Sequence, residues 1–241
     1  AFQALLKKPK IAILSGRGTS SYGVGEVWHL LNHRMHIPAS LVDANNLSQR
    51  KLSHYNTLIL ADGNYAMLDS ADIQSIKDWN KEGGGTVITT GSASRWAVNN
   101  KITSEKIKKN KQINLDIAYS RVRNTTGAQR IGGAIFNIRL DNTHPIGYGY
   151  RKVVPVFRRG DTFFELSKSP SANVARYSNN PLLSGYISEE RLNDMKGTAS
   201  IIAKRQGRGH IVMFSDNPSF RAFWYGTNGL LLNAIFFGHA F

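Results

Sequence analysis

The stretch that decides the fold is GGGTVITTGSASRWA, residues 83–97. Three glycines lead into the short, largely apolar run Thr86–Thr90, which predicts a buried strand. The run ends in GSAS at 91–94 and passes directly into RWA, so a helix is expected to follow without a connecting loop. In many α/β enzymes a strand that turns this sharply into a helix carries the catalytic nucleophile at the bend. This bend is therefore the first place to look for a catalytic residue.

The segments before this bend alternate between strand-like and helix-like patterns. Short apolar runs predict strands at Lys10–Ser15, Ser40–Asp43, Thr57–Ala61 and Thr86–Thr90. A 3.6-residue apolar period predicts helices at Gly23–His36 and Ser70–Glu82. Alternating strands and helices favour right-handed crossovers and a parallel sheet covered on both faces. We therefore predict that residues 1–100 form a doubly wound parallel sheet, flavodoxin-like or Rossmann-like, with Ser92 at the end of its fourth strand.

The second half of the chain has a different pattern. Alternation predicts a strand at Ala134–Leu140, and hairpins are predicted to join Lys152–Phe157 to Asp161–Leu166 and Ala199–Lys204 to His210–Phe214. The largely apolar stretch Ser219–Phe237 predicts a closing helix. We treat 1–241 as a single domain, in which a βαβ half (1–100) is followed by an insertion, hairpins and the closing helix (101–241).

Composition limits the chemistry and the partners of the chain. The 31 Lys and Arg residues outnumber the 16 Asp and Glu, so the net charge is +15 and anionic partners are favoured. The segment 101–130 carries eight basic residues, namely Lys101, Lys106, Lys108, Lys109, Lys111, Arg121, Arg123 and Arg130. It predicts a solvated loop or a weak, non-specific polyanion-binding module, with only Tyr119 available for stacking on bases. The chain has no cysteine, which excludes disulfides, thiolate metal sites and a cysteine nucleophile.

Four stretches carry a family resemblance. They are SSYGVGEVWHLL (20–31), ILADGNY (59–65), GGAIFNIRLDNTHPIGYGY (132–150) and GRGHIVMFSDNPSFRAFWYGTNGLLLNAIF (207–236). Their order and content resemble the class I glutamine amidotransferase-like domain at the C-terminal end of bacterial zinc carboxypeptidase-like proteins. The resemblance implies a flavodoxin-like doubly wound parallel sheet with added antiparallel strands in the second half.

The resemblance also implies a longer parent chain. A zinc metallocarboxypeptidase domain would precede this one and would be its partner, and the protein would be secreted or periplasmic. The chain itself gives no localisation. Zinc is expected in that peptidase domain, because the HxxE pairing of such enzymes occurs nowhere in these residues. His29, His33 and His36 form a helix stripe with Glu26 near its start, which we interpret as solvated polar surface, so no metal or other cofactor is expected here.

Catalysis is where the sequence departs from the family. An amidotransferase needs a cysteine at the bend and a His-Pro-Glu pattern after a late strand. Here Ser92 matches the nucleophile position best, Gly91 matches it with a shift of one residue, and Asn217-Pro218-Ser219 replaces His-Pro-Glu. We therefore expect a non-catalytic accessory domain that supports the peptidase domain or binds a peptide or cell-wall fragment.

The alternative is a serine hydrolase that uses Ser92 and His144, with Asp62 or Asp216 to orient the histidine. Against it, Ser92 can simply cap the following helix and His144 can hold the turn at Pro145.

Any small ligand is expected beyond the carboxyl ends of the parallel strands, where loops and helix N-termini converge. The candidate ligand-binding residues are Arg17, Asp62, Gly63, Asn64, Ser92, His144, Asp216 and Arg221. An anionic group paired with Arg17 or Arg221 is the expected guest. The opposite expectation is a cleft filled by Tyr65, Trp96 or the segment 101–150.

Overall fold

One sheet of nine strands runs through the computed structural model, which describes residues 5–47, 49–110 and 118–241. The strands are β1 (Ile11–Ser15), β2 (Ala39–Asp43), β3 (Thr57–Leu60), β4 (Thr86–Thr90), β5 (Ala134–Leu140), β6 (Val153–Arg158), β7 (Asn173–Gly185), β8 (Ala199–Gln206) and β9 (Gly209–Phe214). Their spatial order is β2-β1-β3-β4-β9-β8-β7-β5-β6. The chain therefore has a mixed α/β sheet rather than a purely parallel one.

Seven α-helices accompany the sheet within these ranges. They are α1 (Ser21–Trp28), α2 (Gln49–Leu52), α3 (Ser70–Lys81), α4 (Ser92–Asn99), α5 (Tyr119–Ala128), α6 (Glu189–Met195) and α7 (Asn228–Phe237). The π-helical segment His29–Arg34 continues α1, and 3₁₀ turns lie at Pro145–Gly147, Phe220–Ala222 and Tyr225–Thr227. In the described part of the chain, no helix combines the length and apolarity that crossing a membrane requires.

The parallel part of the sheet comprises β2, β1, β3, β4 and β9, each hydrogen-bonded in parallel to its neighbour. The four strands predicted in the first hundred residues are all present, and Thr86–Thr90 is β4 with its predicted bounds. Because the side chains of a strand alternate between faces, Ile88 packs with α1 and α7 on one side while Val87 packs with α3 and α4 on the other. Parallel strands with helices on both faces, as predicted for residues 1–100, are therefore present in this half, within a sheet that is mixed as a whole.

The other four strands continue the sheet in antiparallel fashion from β9 through β8, β7 and β5 to β6. The hairpin predicted around Arg205–Gly209 is confirmed as β8 and β9. The hairpin predicted between Lys152–Phe157 and Asp161–Leu166 is wrong, since β6 pairs with β5 and 161–166 makes only two isolated bridges, both at Phe164. Phe163 and Phe164 are both fully buried, which an alternating strand with one solvated face does not allow.

The closing helix is shorter than the predicted Ser219–Phe237. Only Asn228–Phe237 is α-helical, because Arg221 and Ala222 have left-handed φ angles of 48° and 56° that a right-handed helix excludes. The residues before α7 form an irregular loop at the end of β9, next to the bend that follows β4.

Candidate functional site

The candidate site is the carboxyl edge, the edge of the sheet at which the parallel strands β1, β3, β4 and β9 end. At its centre Gly91 joins β4 to α4 with φ 54° and ψ −124°, so the bend itself falls on Gly91 and Ser92 is the first residue of the helix. A side chain rarely adopts this conformation. A Cβ added to Gly91 would also lie 2.9 Å from Asp62 Oδ1. Gly91 therefore offers no side chain of its own, and a larger residue has no space there while Asp62 keeps its position.

Ser92 is bonded to the loop that follows β3. Its hydroxyl donates a very short hydrogen bond to Asp62 Oδ1 and lies 2.9 Å from Gly63 O. The same hydroxyl accepts the backbone N–H of Gly63 at 3.0 Å, and Asp62 Oδ1 accepts the backbone N–H of Ser92 at 2.8 Å. The serine and the aspartate thus tie α4 to the end of β3, and the helix is capped by Asp62 rather than by Ser92.

These contacts occupy the donors that an acyl-transfer site would use. Backbone N–H groups at a helix N-terminus and in a neighbouring loop form the oxyanion hole of such sites. Here the N–H groups of Ser92 and Gly63 point at the chain's own side chains, Asp62 and Ser92. An incoming carboxylate would have to displace the carboxylate of Asp62, so this arrangement opposes an anion at the bend.

The loop after β1 closes the carboxyl edge from the other side. Asn64 N donates to Gly18 O at 2.9 Å, and Ser20 N donates to Asp62 O at 2.8 Å. A Cβ on Gly63 would come within 2.8 Å of Gly18 O, so the two loops touch through their backbones. Arg17 stays exposed beside them.

The loop after β9 is held by Glu26, a buried residue of α1. Asn217 Nδ2 donates to Glu26 Oε2 at 2.5 Å, and the backbone N–H of Arg221 donates to Glu26 Oε1 at 2.7 Å. Asn217 Oδ1 in turn accepts the backbone N–H of Ser219 at 3.0 Å. Asn217 and Ser219, which stand where the sequence comparison expected the His-Pro-Glu pattern of an amidotransferase, therefore stabilise their own loop.

Asp216 lies beneath this loop in a buried charged cluster. Arg158, which is 0 % exposed, donates to Asp216 Oδ1 at 3.2 Å and to the Tyr177 hydroxyl at 2.7 Å. The Tyr177 hydroxyl donates a very short hydrogen bond to the same carboxylate oxygen, and Ser200 donates to Oδ2 at 2.7 Å. Burial raises the pKa of Tyr177, so its hydroxyl keeps the proton that it donates. Asp216 is therefore an internal ion-pair partner of Arg158.

His144 lies at the amino edge, the edge opposite the carboxyl edge. It follows β5, which runs opposite to β4 and β9, so β5 ends where those strands begin. The ring of Phe241 lies between two histidines. Its centroid is 4.9 Å from that of His144 and 5.0 Å from that of His210, which is near the start of β9. The expected Ser92–His144 pair is therefore not formed, because the two residues lie at opposite ends of the strands. Burial lowers the pKa of His144, whose Nδ1 accepts the N–H of Ile146.

The remaining predicted features fall in different places. Tyr65 and Trp96 lie in the core beneath the bend, 5.4 Å apart between ring centroids, and do not plug a surface cleft. The rings of His29 and His33 stack with their centroids 4.9 Å apart, while the carboxylate of Glu26 accepts a hydrogen bond from Asn217. No cluster of three metal-binding side chains occurs among the residues that the structure describes. In the basic segment α5 is exposed, whereas Lys111 lies outside the described residues.

Sequence reasoning did not find the roles of Glu26, Arg158 and Tyr177. Their partners are remote: Glu26 binds residues 191 and 195 positions away, and Arg158 reaches Asp216 across 58 positions. Arg158 lies in the sequence RRG at 158–160, a pattern typical of a polar surface turn, yet its side chain is fully buried.

The comparisons with known proteins agree with this arrangement at the level of the fold. No protein-family model and no curated protein matches the chain. Similar solved structures include a putative ThuA-like protein from Parabacteroides merdae, with a TM-score of 0.60 and 13% identity over 97% of this chain and 90% of that one. A ThuA-like protein from Bacteroides uniformis has a TM-score of 0.58 and 14% identity over 97% and 92%.

A putative GMP synthase protein from Thermoplasma acidophilum has a TM-score of 0.55 and 10% identity, over 94% of this chain and 92% of that one. These neighbours have glutamine amidotransferase-like folds, so the fold of this chain is of the glutamine amidotransferase-like α/β type. A β-galactosidase from Bacillus circulans is also similar, with a TM-score of 0.51 and 15% identity over 94% of this chain but only 30% of that one. At these identities the likeness concerns the fold alone.

Proposed function

We propose that this chain is a non-catalytic, amidotransferase-like domain. The observation that supports the proposal most strongly is that the backbone N–H groups of Ser92 and Gly63 are bonded to the chain's own side chains. Gly91 contributes no side chain at the bend, and the position of the family's histidine is held by Asn217, which binds Glu26. Acyl transfer needs a nucleophile, a base and free oxyanion donors. Among the described residues of the carboxyl edge, the contacts of Gly91, Asn217 and the two N–H groups count against all three, which supports the proposal.

We further propose that the domain is accessory to a larger enzyme. Its resemblance to the C-terminal domain of zinc carboxypeptidase-like proteins makes a zinc metallocarboxypeptidase domain of the same polypeptide its proposed partner. Zinc and proteolysis would belong to that domain, and secretion or a periplasmic location would follow. The β-galactosidase neighbour supports the idea that this fold can occupy a minor part of a much longer enzyme chain. A peptide or cell-wall fragment is the proposed ligand class.

Assays of the purified chain would test the lack of catalysis. Ammonia release from glutamine, hydrolysis of p-nitrophenyl acetate and labelling by a fluorophosphonate probe are compared between the wild type and Ser92→Ala. We expect no glutaminase activity, no labelling and the same ester hydrolysis from both proteins. His144→Ala serves as the second variant, because it removes the proposed base of the alternative serine hydrolase. Activity that both substitutions abolish, in variants that keep their far-UV circular dichroism, would overturn the proposal.

A further inference from the structure

An aromatic loop, residues 220–225 (FRAFWY), stands on the carboxyl edge beside the closed bend. Phe223 and Tyr225 are 57% and 58% exposed, although large aromatic side chains usually avoid water. The backbone N–H of Tyr225 donates to Phe223 O at 2.9 Å, so a tight turn presents both rings from neighbouring positions. Exposed apolar groups gathered in this way mark a binding surface more often than single scattered ones do.

The aromatic loop is fixed from below. Glu26 accepts the N–H of Arg221 at 2.7 Å, and Thr227 donates its hydroxyl to Pro218 O at 2.8 Å. The left-handed conformations of Arg221 and Ala222 set the direction of the turn that follows. Binding to a loop that is already ordered loses little conformational entropy.

The rings of the loop are supported on one side and open on the other. Phe220 stacks on Phe157 of the edge strand β6, with centroids 3.7 Å apart. The guanidinium of Arg34 lies 3.8 Å from the centroid of Tyr225 and covers one face of that ring. Since Tyr225 is nevertheless more than half exposed, a flat ligand has access to it from outside.

The charge around the aromatic loop is positive but sparse. No Asp or Glu occurs in 217–241, and the nearby Glu26 is buried and hydrogen-bonded. Arg221 is exposed within the loop. Tyr22, one turn before Glu26 on α1, is another strongly exposed ring, with 83% of its surface accessible. Few cations beside several open rings suit a ligand with flat apolar faces and few negative charges.

We infer that the aromatic loop binds an acidic carbohydrate. The C–H faces of the sugar rings stack on Phe223 and Tyr225, and a sugar carboxylate pairs with the guanidinium of Arg221. Single-stranded nucleic acid is the less suitable polyanion, because its affinity depends on many phosphate contacts along a basic track. The inference adds a ligand class to the proposed non-catalytic domain and does not depend on whether Ser92 has activity.

The experiment is calorimetric titration of the full chain with three probes at about 0.15 M salt. Hyaluronan hexasaccharide carries one carboxylate per disaccharide, chitohexaose is its neutral counterpart, and a thymidine decanucleotide represents nucleic acid. The variants are Phe223→Ala/Tyr225→Ala and Arg221→Asn, where asparagine tolerates the left-handed φ of Arg221. Tyr119→Ala is the matched control, because Tyr119 is 95% exposed on α5, outside the aromatic loop.

We expect hyaluronan hexasaccharide to bind more tightly than the other two probes. The double aromatic substitution should weaken that binding by about tenfold or more, and Arg221→Asn should reduce the preference over chitohexaose. Tyr119→Ala should change neither the affinity for hyaluronan hexasaccharide nor the preference over chitohexaose.

No binding of the acidic hexasaccharide, binding that survives the double substitution, or tighter binding of the oligonucleotide at the same residues would each overturn the inference. Because these titrations do not involve Ser92, their failure is distinguishable from a failure of the proposed lack of catalysis.

Discussion

Arg158 and Asp216 form an ion pair, with 3.2 Å between Nη1 and Oδ1, although they lie at the ends of strands that are far apart in the sheet. Arg158 ends β6, the outermost strand, whereas Asp216 follows β9, the last strand of the parallel part. The contact is buried and includes Tyr177 of β7 and Ser200 of β8. One charged cluster therefore connects all but one of the antiparallel strands to the end of β9.

Removal of Asp216 should strongly destabilise the fold. Asp216→Ala leaves the guanidinium of Arg158 buried without its counter-charge, which is expected to cost about 3–5 kcal/mol of unfolding free energy. The control is Asp161→Ala. The side chain of Asp161 is 42% exposed and its Oδ1 lies 3.7 Å from Arg95 Nη2, and an exposed ion pair of this kind contributes less than about 1 kcal/mol to the free energy of unfolding. Urea unfolding measures both. Equal losses in the two variants would contradict a buried, compensated pair.

A side chain at the bend should also be costly. Gly91→Ala forces φ 54° on a residue with a Cβ and places that atom 2.9 Å from Asp62 Oδ1, so we expect a loss of at least about 1–2 kcal/mol. Gly25→Ala in α1 is the matched control, because its Cβ meets nothing within 4 Å and alanine favours a helix by about 1 kcal/mol. The unfolding temperature should fall in Gly91→Ala and rise in Gly25→Ala. A Gly91→Ala protein as stable as wild type would exclude a strained bend.

Asp62 should act as the resident anion of the bend. Asp62→Ala frees the N–H of Ser92 at the N-terminus of α4, so added sulfate should raise the unfolding temperature of this variant more than that of wild type. The substitution itself removes a helix cap and should cost about 1 kcal/mol. Asp62→Asn retains an acceptor oxygen and should respond to sulfate like wild type. The same sulfate response in all three proteins would show that the donors are already accessible.

Stability should fall with acidification at the amino edge. Burial is the main cause that lowers the pKa of His210, and Arg205, His239 and Lys7 lower it further, while the bond from Nε2 to Phe241 O at 2.7 Å opposes them. In the unfolded chain His210 takes up a proton as the pH falls below its ordinary pKa of about 6.5, whereas in the folded chain it does so only at a lower pH. The contribution of neutral His210 to the free energy of unfolding is therefore fully present above about pH 6.5 and is lost as the pH falls through the lowered pKa of the folded state.

His210→Gln should reduce the difference in unfolding free energy between pH 7.5 and pH 5. His54→Gln, at an exposed position after α2, should leave that difference as it is in wild type. Urea titrations at the two pH values give the comparison. A pH dependence that is unchanged in His210→Gln would remove His210 from the explanation.

The basic segment should bind polyanions weakly and through charge alone. Arg121 and Arg123 are exposed on α5, so heparin binding should fall steeply with salt and decrease in Arg121→Gln/Arg123→Gln. Arg139→Gln/Arg151→Gln removes the same net charge from exposed positions elsewhere and should have a smaller effect. Fluorescence anisotropy with labelled heparin measures both. Tight binding that persists at about 0.3 M salt would require a specific site instead.

The sequence predicted the elements whose information is local. β4 was predicted with its observed bounds because an apolar run lies between glycines, and β8–β9 because two such runs flank a short glycine-containing turn. β7 was not predicted, since its Asn-Asn-Pro interruption breaks the alternation and its pairing with β5 is irregular.

The candidate site was predicted less completely than the fold. The loops of the carboxyl edge follow from the strand order, but the occupied donors depend on the contact of Asp62 with Ser92, 30 positions away. His144 was assigned to the wrong edge, because an edge assignment needs the direction of β5, and that direction depends on which strands pair. Long-range partners, such as that of Glu26, leave no periodic signal in the sequence.

The bend at Gly91 also has an evolutionary consequence. A single mutation that places a cysteine or serine there introduces a Cβ against Asp62, and a single mutation that removes Asp62 takes the cap from α4 before any nucleophile exists. Each first step is expected to lower stability. Selection for folding alone therefore favours keeping both Gly91 and Asp62, because the contacts that a mutation would break are the ones that join the sheet to the helix.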